Sequence, residues 1–124
     1  MSVEYFKWLK KNYKNRNYIK GRNFEYRTMR KLRKLGYYCV RKFGSKGQED
    51  IFASDGNTTL FVQCKWRSKS DSKPQQYRLI GLIELAKKYH GCAIFAGIRK
   101  RGKRRETYFM IFDDATKRWC EWTS

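Results

Sequence analysis

The chain has 124 residues, of which 30 are Lys or Arg and 11 are Asp or Glu, so its formal net charge is +19. Such an excess argues against an ordinary neutral metabolic enzyme and favours a polyanionic partner, either nucleic acid or an anionic membrane surface. A hydrophobic share of 40% argues against disorder. No apolar run approaches the roughly 18 residues that a membrane-spanning helix needs, and no signal peptide is visible. We therefore expect a nucleic-acid partner, no membrane partner, and a cytoplasmic or nucleoid-associated location.

Hydrophobic periodicity and turn residues predict the order ααβββαββ. The elements in chain order are a basic amphipathic helix over 3–14, a helix over 21–35, strands over 37–42, 49–54 and 58–66, a helix over 75–89, and strands over 92–98 and 106–112. Asp55-Gly56-Asn57 predicts a hairpin between the second and third strands. The basic run 99–105 is expected to be a loop, and 113–124 is an unassigned tail. No linker or repeat suggests a second domain.

The positions of the scarce acidic residues suggest a chemical site. The second helix has a stripe at helical spacing, formed by Phe24, Thr28, Met29, Leu32 and Leu35. Glu25 lies along the edge of that stripe, and Asp50 begins an apolar strand. On the next strand, alternation sends Gln63 and Lys65 to one face, and the hairpin brings Asp50 beside them. Either this group holds a metal for phosphodiester cleavage, or Gln63 and Lys65 merely face water while Asp50 is a turn acid.

The cysteines and the single histidine point away from two other kinds of site. Cys39, Cys64, Cys92 and Cys120 lie about 25 residues apart, without a CxxC pair, which argues against a zinc site. We expect them to be reduced thiols, mostly in the core. His90 has no nucleophile–base partner nearby in the sequence, so a histidine-based catalytic triad is set aside.

Several motifs together resemble the archaeal-type Holliday junction resolvases of the PD-(D/E)xK nuclease superfamily. They are Lys20-Gly21-Arg22-Asn23-Phe24-Glu25, Leu35-Gly36-Tyr37, Val40-Arg41, Gly44-Ser45-Lys46, Asp50-Ile51 and Val62-Gln63-Cys64-Lys65. The resemblance covers residues 20–98 and implies a restriction-endonuclease-like α/β fold with a central mixed five-stranded sheet flanked by helices. On this interpretation 1–124 is a single nuclease domain, with a basic helical extension over 1–19, a core over 20–112 and a tail over 113–124.

The resemblance also implies the roles of individual residues. Glu25, Asp50 and Gln63 would be metal ligands, the backbone carbonyl of Cys64 would complete the metal shell, and Lys65 would be the catalytic lysine. The loop residue Ser45 would lie near the scissile phosphate. The implied cofactor is Mg²⁺, with Mn²⁺ able to substitute. The implied activity is Mg²⁺-dependent resolution of four-way DNA junctions by a symmetric homodimer.

Two departures from the family pattern leave alternatives open. Gln63 stands where those resolvases have Glu, whereas a QxK motif occurs in Mrr-like restriction nucleases of the same superfamily. Glu49 precedes Asp50 directly, so the ligand could be either acid, or both. One alternative function is another endonuclease of this superfamily, acting on foreign or damaged duplex DNA. Another is a basic architectural DNA-binding protein without catalysis, which would not explain why acids lie beside Lys65.

Basic residues concentrate in two stretches that suit phosphate contacts. Residues 1–35 hold twelve Lys and Arg, and 99–105 holds six in seven. The residues expected to contact DNA are Lys20, Arg22, Arg41, Lys46, Arg99, Arg101, Arg104 and Arg105. The richness in Lys, Tyr, Asn and Phe would fit an AT-rich genome, cellular or viral.

Overall fold

A computed structural model describes residues 3–4, 7, 16–42, 49–67, 70–75 and 78–123. Its elements are α1 (Arg16–Lys34), β1 (Tyr38–Arg41), β2 (Ile51–Ser54), β3 (Thr59–Cys64), α2 (Ile80–Lys88), β4 (Cys92–Arg101), β5 (Arg104–Asp113) and β6 (Arg118–Glu121). No helix within these described ranges is long and apolar enough to cross a membrane.

The strands form one mixed sheet whose spatial order follows the chain, β1-β2-β3-β4-β5-β6. Every neighbouring pair is antiparallel except β3 and β4, which run parallel. A parallel pair needs a crossover connection, and α2 lies within the crossover from β3 to β4. The fold class is therefore confirmed as α/β, with a mixed sheet flanked by helices.

Helix α1 covers one face of this sheet with the stripe that its sequence predicts. Phe24, Thr28, Met29 and Leu32 are buried, and the last two pack with residues of β2, β3 and β4 in one core cluster. Leu35 does not belong to the stripe, because it is 45% exposed. The helix ends at Lys34, before Leu35 can turn onto the buried face.

Helix α2 covers the opposite face. Leu82 and Ala86 are buried on the sheet with Leu79, which precedes the helix. Their partners in this second cluster include Phe61 of β3 and Phe95 of β4. The ends of β3 and β4 therefore lie between two separate cores, one under each helix.

Four sequence predictions need correction. Helix α1 begins at Arg16, five residues before the predicted start at residue 21. Helix α2 is shorter than the predicted 75–89. The basic run 99–105 is a hairpin whose turn is only Gly102 and Lys103, with Gly102 at a φ of +64°, which a two-residue turn requires. The tail contributes β6, so the sheet has six strands rather than five.

Other predictions on secondary structure agree with the structure where it describes them. The turn at Asp55 closes the β2–β3 hairpin, because its carboxylate accepts hydrogen bonds from the backbone N–H groups of Asn57 and Thr58. All four cysteines are free, but only Cys39 is buried; Cys64 and Cys92 are partly buried and Cys120 is exposed. Of the helix predicted over 3–14, Val3, Glu4 and Lys7 are helical, and the rest lies outside the described residues.

Candidate active site

Asp50 lies at the point where β2 begins and is tied to β3 by its backbone and its side chain. Its N–H donates to the carbonyl of Val62 at 2.8 Å. Its carboxylate Oδ2 accepts a hydrogen bond from the N–H of Cys64, also at 2.8 Å. The hairpin register pairs Ile51 with Val62, so Asp50 comes opposite Gln63. The carboxylate is thus fixed against the strand segment that carries Gln63 and Lys65.

Glu25 reaches this region from helix α1. Its Oε2 accepts a hydrogen bond from Nε of Arg41, at 2.7 Å, in a partly buried ion pair. The Arg41 guanidinium also lies over the ring of Tyr26, 5.2 Å from its centre. Arg41, expected to contact DNA, is thus engaged by two side chains of α1.

The electrostatic environment of Asp50 combines burial with neighbouring acids. Burial, followed by the charges of Glu25 and Glu49, raises the pKa of Asp50 to about 6, against the lowering effects of the Cys64 N–H and of Arg41. A carboxyl group perturbed by burial and specific charges is typical of functional sites, although structural ion pairs show it as well.

The choice between Glu49 and Asp50 can be compared directly. Glu49 is buried, and its carboxylate forms an ion pair with Nζ of Lys42 at 2.5 Å. Asp50, by contrast, bonds to the β3 backbone at Cys64. Glu49 is thus paired with Lys42, which follows strand β1, whereas Asp50 is the acid that contacts β3.

Gln63 and Lys65 point to the α2 face of the sheet, as strand alternation predicts. Both line a small cavity of about 60 Å³ whose floor includes Leu79 and Phe95 of the second core. Cys64 points the other way and packs against the core under α1. Burial, followed by the charge of Asp50, raises the pKa of its thiol well above the usual value, so that side chain remains a neutral thiol.

The candidate ligand atoms suit a hard divalent cation, although only two of the four groups are negatively charged. Glu25 and Asp50 supply carboxylate oxygens, Gln63 an amide oxygen and Cys64 a backbone carbonyl, all of the kind that Mg²⁺ prefers. Within the described part of the chain, no three His, Cys, Asp or Glu side chains form a metal-binding group. This agrees with the sequence, in which an amide stands where the third acid would be. The roles of Glu25, Asp50 and Gln63 as metal ligands stay a prediction.

The residues expected to contact DNA have different surroundings. Nζ of Lys20 lies 5.1 Å from the centre of the Trp66 ring, just beyond Lys65. Arg22 is partly buried, and its Nε makes no hydrogen bond. Ser45 and Lys46 lie outside the described residues.

Within the basic hairpin, Arg99 is held by the protein itself. Its guanidinium pairs with Glu106 at 2.9 Å and with Glu121 at 2.6 Å, and it lies over Tyr108. Arg105 donates to the carbonyl of Ser70 at 2.8 Å. Arg101 and Arg104 are exposed, although Arg101 lies 3.6 Å from Glu106.

The sequence analysis missed residues that share the cavity with Gln63 and Lys65. They are Arg67, Lys73, Gln75 and Arg78. Strand alternation offered a signal for Arg67, because it follows Lys65 by two residues. The others come from a polar segment whose folded position depends on tertiary contacts.

Comparisons with known proteins identify the family of this chain and a solved structure with a similar fold. The model of the archaeal Holliday junction resolvase (Hjc) family matches residues 16–119. Among solved structures, the fold is similar to Archaeoglobus fulgidus Hjc, a Holliday junction resolvase from an archaeal hyperthermophile, with a TM-score of 0.59 and 22% identity over 82% of this chain and 91% of that one. A search of curated proteins found no match. Because the family model spans α1, the whole sheet but its last residues, and both strands of the candidate site, the chain belongs to the archaeal Holliday junction resolvase family.

Proposed function

We propose that this protein is a Mg²⁺-dependent endonuclease that resolves four-way DNA junctions as a symmetric homodimer. Membership of the resolvase family supports the junction substrate. The observation that carries the proposal is the Asp50 carboxylate, which is bonded to the N–H of Cys64 between Gln63 and Lys65 and senses the charge of Glu25. A purely architectural protein would have no reason to bury most of the Asp50 carboxylate near a second acid, Glu25.

The oxygens of Asp50, Glu25, Gln63 and the Cys64 carbonyl would hold the cation. When bound, Mg²⁺ supplies a Lewis acid that polarises the phosphate and lowers the pKa of an attacking water. The chain itself fixes the donors: the Cys64 N–H orients Asp50, and Arg41 balances the charge of Glu25.

Lys65 provides the positive charge that the reaction needs. Hydrolysis of a phosphodiester builds negative charge on the phosphate oxygens, and an ammonium group held nearby stabilises that charge in the transition state. Lys65 is exposed at the cavity and close in sequence to the residues that orient Asp50. As the family resemblance implies, we place Ser45 near the scissile phosphate.

A symmetric dimer suits the substrate, because resolving a junction requires cuts in two strands related by symmetry. Sedimentation or light scattering of the protein alone should therefore give twice the chain mass of 15.1 kDa. A monomer at micromolar concentrations would contradict the dimer without touching the chemistry.

One observation favours a second candidate, an endonuclease of the same fold that cuts ordinary or damaged duplex. The candidate site has the neutral Gln63 where the resolvases carry an acid. A QxK motif also occurs in Mrr-like restriction nucleases of the same superfamily, so duplex DNA is the substrate of the second candidate.

Cleavage of a four-way junction and of a linear duplex of the same sequence, each with Mg²⁺ and with EDTA, tests both candidates. We expect the wild-type protein to cut the junction in Mg²⁺ only. Asp50→Asn and Lys65→Ala should bind the junction normally but not cut it, because each removes a group that acts in the chemical step. Asp55→Asn and Lys88→Ala are matched controls on the surface and should cut normally. Equal cutting of duplex would favour the second candidate, and no cutting with any divalent cation would reject catalysis.

A further inference from the structure

Among the described residues that line the cavity beside Gln63 and Lys65, several are cationic and none is acidic. Lys65, Arg67, Lys73 and Arg78 contribute cations, and Gln75 adds an amide. Like charges so placed repel one another unless an anion is bound between them. The cavity, of about 60 Å³, has room for a phosphate group.

The absence of acids here contrasts with their use elsewhere. In the described part of the chain, carboxylates form ion pairs with Arg41, Lys42 and Arg99, yet none pairs with Lys65, Arg67 or Lys73. The charges of Lys65, Arg67 and Lys73 are therefore available to an outside anion.

The wall of the cavity that carries Lys73 is built into the sheet. The last hydrogen bond between the β3 chain and β4 joins the N–H of Lys65 to Ala96 O at 2.9 Å. Two residues further along β4, the N–H of Ser72 donates to Ile98 O, also at 2.9 Å. The returning segment around Ser72 therefore pairs with β4 beyond the point where β3 ends.

Side chains fix this returning segment more firmly. The buried hydroxyl of Ser72 accepts from the Ile98 N–H at 2.6 Å, and the Tyr108 hydroxyl donates to Ser72 O. The Lys100 N–H donates to the carboxylate of Asp71 at 3.0 Å. Lys73 thus follows a residue that several hydrogen bonds hold in place. Such preorganisation lowers the entropy cost of binding a ligand.

We propose that this cavity binds a backbone phosphate of DNA next to the scissile phosphate, with Arg67, Lys73 and Arg78 as its cations. The inference rests on the proposed nuclease function, because it assigns Lys65 to the scissile phosphate and the rest of the cavity to its neighbour. The bound phosphate would set the register of the cleaved strand over Asp50.

Single methylphosphonates, which remove the charge of one phosphate, test the proposal when placed in turn at each position around the branch point of a four-way junction. Binding is measured by fluorescence anisotropy in EDTA, so no cleavage is needed. For the wild-type protein we expect one position, beside the cut site, to weaken binding about tenfold. Lys73→Gln and Arg67→Gln should weaken binding of unmodified junction similarly but lose no more at that position. Lys88→Gln, a matched change on the outer side of α2, should behave as the wild type does.

The outcomes separate this proposal from the function on which it rests. If the methylphosphonate losses are as large in Lys73→Gln and Arg67→Gln as in the wild type at every position, the cavity does not bind a backbone phosphate. If the coupling is found but the wild-type protein cuts no DNA, the cavity stands and the nuclease proposal fails.

Discussion

Gly97 and Ser72 meet where the returning segment closes on β4, and their substitution gives a sharp test of this packing. A Cβ added to Gly97 would lie 2.7 Å from the Ser72 hydroxyl and 2.6 Å from the Phe95 ring. Overpacking of this kind costs about 1–3 kcal/mol in the free energy of unfolding, so Gly97→Ala should destabilise the protein by that amount. Ser72→Ala leaves the buried Ile98 N–H without its side-chain partner and should also cost about 1–3 kcal/mol.

The double variant is the informative one. Removing the Ser72 hydroxyl also removes one of the atoms that the new Cβ would strike, so the two costs should not add. We expect the double variant to be more stable than the sum predicts by about 1 kcal/mol. Gly21→Ala is the control, because a Cβ there meets nothing within 4 Å in helix α1. It should stabilise the protein by about 0.5–1 kcal/mol.

Urea unfolding followed by tryptophan fluorescence measures the stability of the wild type and the four variants, provided that the slope with denaturant stays constant. If Gly97→Ala is as stable as the wild type, the close approach is not real. If the costs of the two substitutions add to within about 0.5 kcal/mol, Ser72 and Gly97 do not share the contact described.

Three further predictions concern charge. Gln63→Glu should lower the Mg²⁺ concentration for half-maximal cleavage, because the acid adds negative charge to the ligand atoms. Gln63→Ala should raise that concentration or abolish cutting. Equal concentrations for the wild type and both variants would mean that Gln63 is no ligand. Arg104→Ala, at an exposed position of the hairpin, should reduce the slope of log affinity against log salt by roughly 0.9, and an unchanged slope would place Arg104 away from DNA. Hydrogen bonds from Arg99 lower the pKa of both Glu106 and Glu121 below 4.5, so their contribution to stability is present above pH 4.5 and is lost as the pH falls further. Arg99→Ala should therefore flatten the loss of stability below pH 4.5 in acid titrations of unfolding, and an acid limb as steep as that of the wild type would show that the pairing is energetically silent.

The parts of the fold that could be predicted from the sequence are those governed by local chemistry. The Asp55 turn forms because one side chain bonds to the next backbone N–H groups, and the α1 stripe follows helical spacing. Strand β6 was missed because it forms only by pairing with β5 and by aromatic contacts across that pair, such as Trp119 with Phe112.

The candidate site divides in the same way. Alternation along β3 correctly placed Gln63 and Lys65 on one face, and the hairpin brought Asp50 to their strand. The pairing of Arg99 with Glu121 and the docking of Ser72 on Ile98 could not be predicted, because both join residues more than twenty positions apart in the chain.

The acidic side chains described above have a consequence for the thermodynamics of folding. Most of them interact with groups inside the molecule. Glu25 forms an ion pair with Arg41, Glu49 forms one with Lys42, and Asp71 accepts a hydrogen bond from the backbone of β4. The formal net charge of +19 already counts every acidic residue, and compaction brings the excess positive charges together at a cost in self-repulsion. A polyanion that binds only the folded chain relieves this cost and stabilises it by RT ln(1 + [L]/Kd). Nucleic acid is thus a linked ligand of folding, and the melting temperature should rise with its concentration and fall back as salt displaces it.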